Sequence, residues 1–503
     1  MSGLGSSQST APTVRGVLCL KFNFMKRTIK NAGCFLFLRL GLSSVFLLLT
    51  APLCLAQSLQ VSWARQVDAI AGGVSTDQGG SIYIAGYGDA GILTKYDSLG
   101  DVLWTASAHG NGLLWVQNVT TDQAGNSYII GEFWRSAIFG TNVISSAYGS
   151  FGEGFVAKVD SNGRFLWAQP LVASGGADAL SVACDNNGNC YVTGFCNEEV
   201  FFGGTNYING GFIAKFSPTG TLLRLTETQE RENAIAVDNA GNISVIGSSY
   251  LAKYNDYGGL YWITPDAGGY AVAIGSDGSI YTAGLGWTNG FICKYSSSGN
   301  PIWTCFTTNA GPFSIALDSS DSVYVSGYYS GSNYVWASAP ANFNGTVLPG
   351  SVHLCSFAAK YDTSGDLKWV KGFSGAGDVC ATGVAVSSSG SNAVVTGTYT
   401  TSITFGNFTL STTNSQHFYQ ALFLVDLGVV EGPSLALQVQ KGQSPALTIG
   451  GVAGNTYEVE FTDSLTNGWN PWVKFVLPSS PYTLFDPSPG LSNRFYRAYL
   501  VQP

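Results

Sequence analysis

The chain has 503 residues and a formal net charge of −8; 11% of the residues are charged, 13% are aromatic and 64 are glycine. Globular chains average about 25% charged residues, so this composition is typical of a β-protein with many tight turns and not of a disordered chain. The negative charge argues against nucleic acid and anionic membranes as partners.

The first 56 residues contain no Asp or Glu and hold six basic residues. They end in GLSSVFLLLTAPLCLA, an apolar run closed by a small residue, which predicts a signal peptide cleaved after Ala56. Met25, which opens MKRTIK, is the expected translation start. A membrane anchor is the alternative, although the run is short for a span. We expect residues 1–56 to be removed, leaving no membrane span in a secreted, periplasmic or cell-surface protein.

Two short patterns recur between residues 57 and 430. A turn followed by a strand occurs seven times, as in DNAGNISVIG (238–247), and a second pattern occurs six times, as in AKYDTSGDLKW (359–369). Each pattern predicts a β-hairpin, because strand residues flank a turn rich in Asp, Asn, Ser and Gly. Two hairpins make a unit of four strands. Seven such units predict an all-β chain that forms a seven-bladed β-propeller.

The seventh repeat ends at ALFLVDLG (421–428) and has no Trp-bearing fourth strand. The segment SLQVSWARQV (58–67) carries Trp63 where such a strand would place it. We expect this N-terminal segment to complete the seventh blade. Closing the ring in this way leaves no exposed strand edge between the first and last blades.

The two patterns resemble the repeat of a family of secreted bacterial seven-bladed β-propellers, often called SBBP, over about residues 58–428. The resemblance implies the propeller fold and an extracytoplasmic setting, with no ligand or activity attached. The chain departs from the repeat at three positions, where Arg224 stands for Trp, Asp321 for Gly and Leu424 for Lys.

Two residue types return at fixed positions of the second pattern, and we expect both to be structural. A buried Trp contributes about 150–250 Å² of contact area, so a Trp in each blade suits packing between blades. A Lys stem covers apolar surface while its ammonium group finds a carbonyl or carboxylate. The Trp positions are 63, 104, 167, 262, 303 and 369, and the Lys positions are 95, 158, 215, 253, 294 and 360.

Seven cysteines follow residue 56. Cys184 and Cys190 flank one turn symmetrically, and Cys293 and Cys305 flank another. Directly opposed residues of an antiparallel pair are close enough for a disulfide, so these are two candidate bridges, with free thiols as the alternative. The run DNNGN (185–189) has closely spaced oxygen ligands but no bidentate Glu, so an Asx turn accounts for it. No metal or cofactor is expected.

The connections between the second and third strands vary from a few residues to about thirty, whereas the other turns barely vary. We therefore expect one face of the propeller to carry the binding site. Aromatic residues in these connections suit contacts with sugar or peptide, although packing on their own loops is the alternative. The candidate ligand-binding residues are Phe133, Trp134, Trp287, Tyr329, Tyr334 and Trp336.

The leading hypothesis is a non-enzymatic, exported, monomeric propeller that binds a polysaccharide or a protein through this face. One alternative is a polysaccharide hydrolase or lyase that uses loop carboxylates such as Glu132 and Glu199. Another is a purely structural cell-surface protein. No catalytic residue is assigned, because the sequence has no nucleophile elbow, phosphate loop or dinucleotide motif in a suitable context.

The repeat stops near Glu431. Residues 431–503 contain several short strand patterns with turns at Gly-Gly and Pro-Ser-Pro-Gly, which predict a small β-sandwich-like module. The stretches YEVEFTDSLTNGWNPW (457–472) and NRFYRAYL (493–500) resemble C-terminal modules of large secreted bacterial proteins. That resemblance implies a role in attachment or export, and a domain that only caps the chain is the alternative.

Overall fold

The computed structural model shows an all-β chain, since every regular element of the described residues is a strand. The described residues are 58–500 apart from 68–69, 88–89, 147–151, 174, 198–199, 202–209, 287–288, 331–338, 388–389, 391, 406–407, 413–421, 431–433, 439–445, 451–455, 463–469, 479–481 and 486–494. No helix in this part of the chain is long and apolar enough to cross a membrane. Two compact units separate, one formed by Gln57–Gly432 and one containing Pro433–Pro503.

Strands of the first unit hydrogen-bond antiparallel in groups of four. The chain enters through β1 (Ser58–Val67). Group 1 is β2 (Ile70–Thr76), β3 (Ile82–Tyr87), β4 (Gly91–Tyr96) and β5 (Val102–Gly110). Group 2 is β6 (Leu114–Thr121), β7 (Ser127–Phe133), β10 (Glu153–Val159) and β11 (Phe165–Ala173), with β8 (Ser136–Phe139) and β9 (Asn142–Ser145) between its halves. Group 3 is β12 (Ala177–Cys184), β13 (Cys190–Cys196), β15 (Gly210–Phe216) and β16 (Leu222–Glu227), with β14 (Val200–Phe201) between them.

The later groups follow the same order. Group 4 is β17 (Glu232–Val237), β18 (Ile243–Gly247), β19 (Tyr250–Tyr254) and β20 (Leu260–Pro265). Group 5 is β21 (Ala271–Ile274), β22 (Ile280–Leu285), β23 (Asn289–Tyr295) and β24 (Pro301–Thr308). Group 6 is β25 (Ala310–Leu317), β26 (Val323–Tyr329), β29 (Cys355–Tyr361) and β30 (Leu367–Gly375), with β27 (Ala341–Phe343) and β28 (Thr346–Leu348). Group 7 is β31 (Val379–Val386), β32 (Asn392–Tyr399), β35 (Leu422–Val430) and β1, with β33 (Ser402–Phe405) and β34 (Phe408–Ser411).

The arrangement is propeller-like. The first strand of each group contacts the first strand of the next, and β2 contacts β31 as well as β6. A single parallel bridge between Glu153 and Ala177 joins the sheets of groups 2 and 3. Between β2 and β31, the Thr76 hydroxyl donates a hydrogen bond to the Val386 carbonyl at 2.9 Å.

The N-terminal strand β1 is the outer strand of group 7, where it pairs antiparallel with β35. Its register places Asp426 opposite Trp63, just as Lys95 lies opposite Trp104 in group 1. The prediction that Leu424 stands for the repeated Lys is therefore wrong by two positions. The residue that takes the Lys position in group 7 is Asp426.

In most groups the turn of the first hairpin is opened by an Asp. In group 2, one oxygen of Asp122 accepts hydrogen bonds from the amides of Ala124 (3.0 Å) and Asn126 (2.9 Å). Gly125 has a φ of 76°, the left-handed conformation that closes this kind of hairpin turn. In group 6, Asp321 adopts the same conformation with a φ of 58°, so the departure from Gly at this position leaves the turn intact.

The repeated Lys residues are structural, as predicted. The ammonium group of Lys158 lies 3.7 Å from Asp122 and 4.7 Å from the centroid of the Tyr128 ring. The Tyr128 hydroxyl donates to the carbonyl of Gly188 in the next turn at 2.6 Å. The same Asp–Tyr–Lys triad recurs at 77/83/95, 277/281/294 and 318/324/360. Each triad ties its own turn to its third strand.

The repeated Trp residues join successive groups, which confirms the packing prediction. The Trp167 indole donates to the Pro218 carbonyl at 3.0 Å, and its ring lies against Gly220 of the next turn. Equivalent bonds to the next turn are made by Trp63, Trp104, Trp262 and Trp303. The Trp369 nitrogen has no partner among the described residues, because no turn joins β35 to β1.

The long connections do not project as simple loops. Their strands add to the outer strand of the preceding group: β8 pairs with β5, β14 with β11, β27 with β24 and β33 with β30. Phe139 at the end of β8 is fully buried, with its ring centroid 4.8 Å from that of Phe155. These segments therefore fill the space between groups.

The seven cysteines after residue 56 are all free in this structure. Cys305 lies opposite Ile292, and Cys293 lies opposite Thr304, because a bulge at Lys294/Tyr295 shifts the hairpin by one residue. The predicted 293–305 bridge is therefore wrong in register. Cys184 and Cys190 do lie directly opposite each other, as predicted, yet they are free thiols here.

The C-terminal unit contains two three-stranded sheets. One is built from β36 (Ser434–Gln438), β37 (Ala446–Gly450) and β40 (Tyr482–Phe485), and the other from β38 (Thr456–Thr462), β39 (Asn470–Val476) and β41 (Phe495–Leu500). Both sheets contribute to a single apolar cluster, for example through Leu447 and Ile449 of the first and Tyr457 and Val459 of the second.

Candidate functional site

The two ends of the groups differ in how much they vary. The triads and the Trp contacts occupy the end that carries the short turns. At the opposite end, where each first strand begins and each second strand ends, the residues change from group to group. We call this end the mouth. Variable side chains on a repeated frame are where binding sites usually lie, so the mouth is the candidate site.

A bulge interrupts most first strands close to the mouth. In β6 and β25 the bulged residues are Gln117 and Phe313, since the register skips them. Leu180, Asn233 and Thr382 hold the corresponding places in β12, β17 and β31. Bulges redirect a side chain out of the regular alternation and are common beside binding sites. The repeat therefore presents a different side chain at this place in each of these groups.

Three half-buried aromatic residues form a cluster at the mouth of groups 1 and 2. The ring centroids of Tyr87 and Trp115 are 5.7 Å apart, and those of Trp115 and Trp134 are 5.1 Å apart at an angle of 69°. Such tilted and edge-to-face arrangements are the favoured ones for aromatic pairs. We call Tyr87, Trp115 and Trp134 the aromatic cluster.

A carboxyl pair lies beside this cluster. Glu132 is opposite Trp115 in the register of β6 and β7, and it accepts a hydrogen bond from the Gln117 amide at 3.1 Å. Burial and the charge of Asp178 raise the pKa of Glu132 to about 7, and a hydrogen bond with Asp178 acts in the same direction. Arg231, 3.7 Å from Asp178, opposes this shift. Near neutral pH the Glu132 carboxyl is therefore close to the midpoint of its titration.

Glycosidases place two carboxyl groups about 5–9.5 Å apart so that the sugar oxygen or a water fits between them. Glu132 and Glu199 were named from the sequence as such carboxylates. Glu199, the partner named for Glu132 from the sequence, lies outside the described residues.

Further carboxylates lie at the mouth of groups 3 and 4. Glu230 accepts hydrogen bonds from the backbone amide of Ser249 at 2.7 Å and from its hydroxyl at 3.0 Å. Glu232 is fully buried and accepts a hydrogen bond from Tyr250, and burial raises the pKa of Glu232 to about 7. Together with Glu132 and Asp178, these residues give this side of the mouth an acidic character.

A second set of aromatic rings lies at the mouth of groups 5 and 6. Tyr270 stacks on Phe313 with ring centroids 4.9 Å apart, and Phe313 lies 5.9 Å from Tyr328. Phe313 is 43% exposed and Tyr270 is 39% exposed, so both offer apolar surface to a ligand. Sequence analysis missed these residues. The sequence feature that could have identified them is an aromatic residue at a position where the repeat has no fixed residue type.

The residues predicted to contact a ligand have different outcomes. Phe133 and Tyr329 are buried, at 0% and 3% exposure, because both end their strands facing the core between groups. In this structure, therefore, neither side chain offers open surface to a ligand. Trp134 joins the aromatic cluster. Trp287, Tyr334 and Trp336 lie outside the described residues.

Comparison with known proteins gives one curated relative. No family model matches the chain. A stretch of 160 residues is 26% identical to the uncharacterised WD repeat-containing protein L264 of Acanthamoeba polyphaga mimivirus, covering 27% of this chain and 11% of that protein. The chain thus spans about a tenth of that relative. The strand groups and this similarity support a β-propeller repeat protein.

Two solved structures are also similar. Saccharomyces cerevisiae Sqt1 matches with a TM-score of 0.41 and 8% identity, over 78% of this chain and 96% of that one. A protein of unknown function from Bacteroides caccae matches with a TM-score of 0.32 and 14% identity, over 46% and 80% of the two chains.

Among the described residues of the propeller-like unit and the C-terminal unit, no group of three or more His, Cys, Asp or Glu side chains is arranged to hold a metal ion.

Proposed function

We propose that the chain is a non-enzymatic binding scaffold, in which groups 1 to 7 are seven blades of a ring closed by β1. Pairing of β1 with β35, the contact of β2 with β31 and the bond from Thr76 to Val386 support closure. Export directed by residues 1–56 belongs to the same proposal and is supported by the sequence pattern of that segment.

The ligand that suits the mouth best is a polypeptide segment with a basic side chain. The observation that carries this proposal is the aromatic cluster with Trp115 directly opposite Glu132. Guanidinium groups stack on aromatic rings and pair with carboxylates, and Trp and Tyr dominate the energetics of protein interfaces. The acidic residues of groups 2 to 4 complement a basic segment and speed its association.

Display selection tests this function. A library of random peptides on phage is selected against the purified wild-type chain, and soluble polysaccharides are tested in parallel by calorimetry. Enriched peptides are then measured against Trp115→Ala and Glu132→Gln. Tyr261→Ala on β20 is the matched control, since Tyr261 is also a large aromatic residue and is 58% exposed, far along the chain from the aromatic cluster.

The proposal expects enriched peptides to contain Arg or Lys, with binding weakened by about tenfold or more in Trp115→Ala and unchanged in Tyr261→Ala. If the enriched peptides bind Trp115→Ala as tightly as they bind the wild type, the mouth is not their binding site. Binding of a polysaccharide with loss in Trp115→Ala would keep the mouth but replace the ligand class.

A further inference from the structure

A groove of about 420 Å³ lies between the closing strand β1 and group 1. None of the mouth residues named above lines it. Strand β1 forms one wall, and β4 with β5 forms the other. The lining residues that bear on its chemistry are Arg65, Ile92, Thr94, Val102 and Thr105. This volume is within the range of about 300–1,000 Å³ that is common for ligand pockets.

The corresponding space between groups 1 and 2 is filled with apolar side chains. Phe139, carried by the added strand β8, has its ring 4.8 Å from Phe155 of β10 and 5.4 Å from Phe165 of β11. Ala106 and Ala108 of β5 complete the same buried cluster. An aromatic ring delivered by an added segment therefore seals this interface.

The interface between groups 5 and 6 is sealed in the same way. Phe343 at the end of β27 is fully buried, and its ring lies 4.6 Å from that of Phe357 in β29. Two separate interfaces thus use one device, in which a Phe on an added strand enters between neighbouring groups. The device is therefore not confined to a single loop.

Group 1 lacks both the added segment and the large apolar side chains. Counted from the repeated Lys, Ile92 and Thr94 correspond to Phe155 and Ala157; counted from the repeated Trp, Val102 and Thr105 correspond to Phe165 and Ala168. Two Phe rings are therefore replaced by smaller side chains, and two Ala by Thr. Only the short connection from Tyr87 to Gly91 joins β3 to β4, so the chain supplies no hairpin here.

The groove also has polar groups at its floor and at its rim. Thr94 and Thr105 are hydrogen-bonded to each other at 3.1 Å, and Thr94 is only 5% exposed, so hydroxyls form the floor. At the rim, Arg65 lies 3.7 Å from Asp101, and both side chains remain accessible. A ring that enters this groove meets apolar walls and a hydroxyl-bearing floor, which is the environment that a tyrosine side chain prefers.

We propose that this groove binds a partner polypeptide by taking in a tyrosine side chain between Ile92 and Val102, with the phenol directed to the hydroxyls of Thr94 and Thr105. The segment takes the place that Phe139 and Phe343 hold in their own interfaces. The site is separate from the mouth and does not depend on the function proposed for it.

Selection from a random peptide library tests this site. The full chain carrying Trp115→Ala serves as the target, so that binders of the mouth are suppressed. Enriched peptides are measured by fluorescence polarisation against the same chain with Ile92→Phe and Val102→Phe. These two substitutions give group 1 the Phe residues that group 2 has at the corresponding positions. Leu103→Phe is the matched control, because Leu103 is next to Val102 and is 54% exposed without lining the groove.

Peptides with Tyr at one fixed position are expected, with binding weakened by about tenfold or more in the Ile92→Phe, Val102→Phe variant and unchanged in Leu103→Phe. Replacing the peptide Tyr by Phe should weaken binding to the parent chain but not to Thr105→Val, which removes a hydroxyl from the floor. Two results would overturn the proposal. One is that the enriched peptides show no preference for Tyr at any position. The other is that the Ile92→Phe, Val102→Phe variant binds them with an affinity within about twofold of the parent chain.

Discussion

At the residue scale, the Asp–Tyr–Lys triad shows why charged side chains are buried in a chain with so few of them. Lys158 and Asp122 have side-chain exposures of only 6% and 7%. Burying an ion pair costs desolvation energy, which is offset only where further hydrogen bonds satisfy both groups. Asp122 meets this condition through two turn amides and the Asn126 side chain. In three of the four triads the Asp lies six residues before the Tyr, a spacing that recurs in the sequence, whereas Asp277 lies four residues before Tyr281.

Replacing Asp122 by Ala should lower the free energy of unfolding by about 3–5 kcal/mol, since it leaves the Lys158 ammonium buried without its partner. Lys368→Met is the control, because Lys368 pairs with Asp362 at the surface with 41% of its side chain exposed, and such pairs contribute about 0–1 kcal/mol. Urea unfolding measures both. Equal losses in the two variants would contradict the structural role of the triad.

The carboxyl pair predicts a pH dependence. Folding raises the pKa of Glu132 from 4.5 to about 7, and the pKa of Glu232 shifts in the same direction to about 7. A raised carboxyl pKa means that the folded state holds the proton more tightly than the unfolded state, so its contribution is complete below pH 4.5 and is lost as the pH rises to about 7.

In Glu132→Gln the free energy of unfolding should therefore fall less between pH 4.5 and pH 7 than in the wild type. The matched control is Glu227→Gln on β16, because Glu227 is exposed. Chemical unfolding at a series of pH values gives the slopes. A wild-type slope in Glu132→Gln would show that Glu132 ionises as freely in the folded chain as in the unfolded one.

At the scale of elements, sequence patterns predicted the hairpins because each is local. Turn residues and strand residues lie within about a dozen positions of one another. What joins one hairpin to another was harder to predict. The pairing of β8 with β5 depends on contacts across groups, and no fixed spacing marks it. The meeting of Glu132 with Asp178 was missed for the same reason, and the bulge at Lys294/Tyr295 misled the pairing of Cys293.

The Trp contacts between groups allow a matched comparison. Trp167 and Trp369 are buried to the same extent, at 7% and 8% exposure, but only Trp167 donates a hydrogen bond to the next turn. Trp167→Phe should therefore cost about 1 kcal/mol more free energy of unfolding than Trp369→Phe, because the lost volume is the same and the lost hydrogen bond is not. Equal costs, measured in urea, would mean that the indole bond contributes nothing.

The added strands should contribute through the rings that they bury. Phe139→Ala should lower the free energy of unfolding by about 3–5 kcal/mol, since it opens a cavity beside Phe155. Ile138→Ala, one residue earlier and 47% exposed, should cost less than about 0.5 kcal/mol. A loss as small in Phe139→Ala would contradict the role of β8 as part of the core.

At the scale of the whole molecule, the repeat predicted a propeller-like arrangement and the use of the N-terminal segment as an outer strand. The proposed closure of the ring and the groove both depend on that strand, because β1 supplies Trp63 to group 1 and forms one wall of the groove. If β1 did not pair with β35, group 7 would have an open edge, a liability that propellers avoid by closure.

Hydrogen exchange of the β1 amides tests this directly. In a closed ring, the amides of Ser58–Val67 that bond to β35 should exchange as slowly as those of the inner strands β31 and β32, and their rates should follow unfolding of the entire unit. Mass spectrometry of peptides covering these strands supplies the rates. Protection in β1 equal to that in β32 is the result that we predict. Exchange in β1 at the rate of an unstructured peptide, with β32 still protected, would contradict closure and the account built on it.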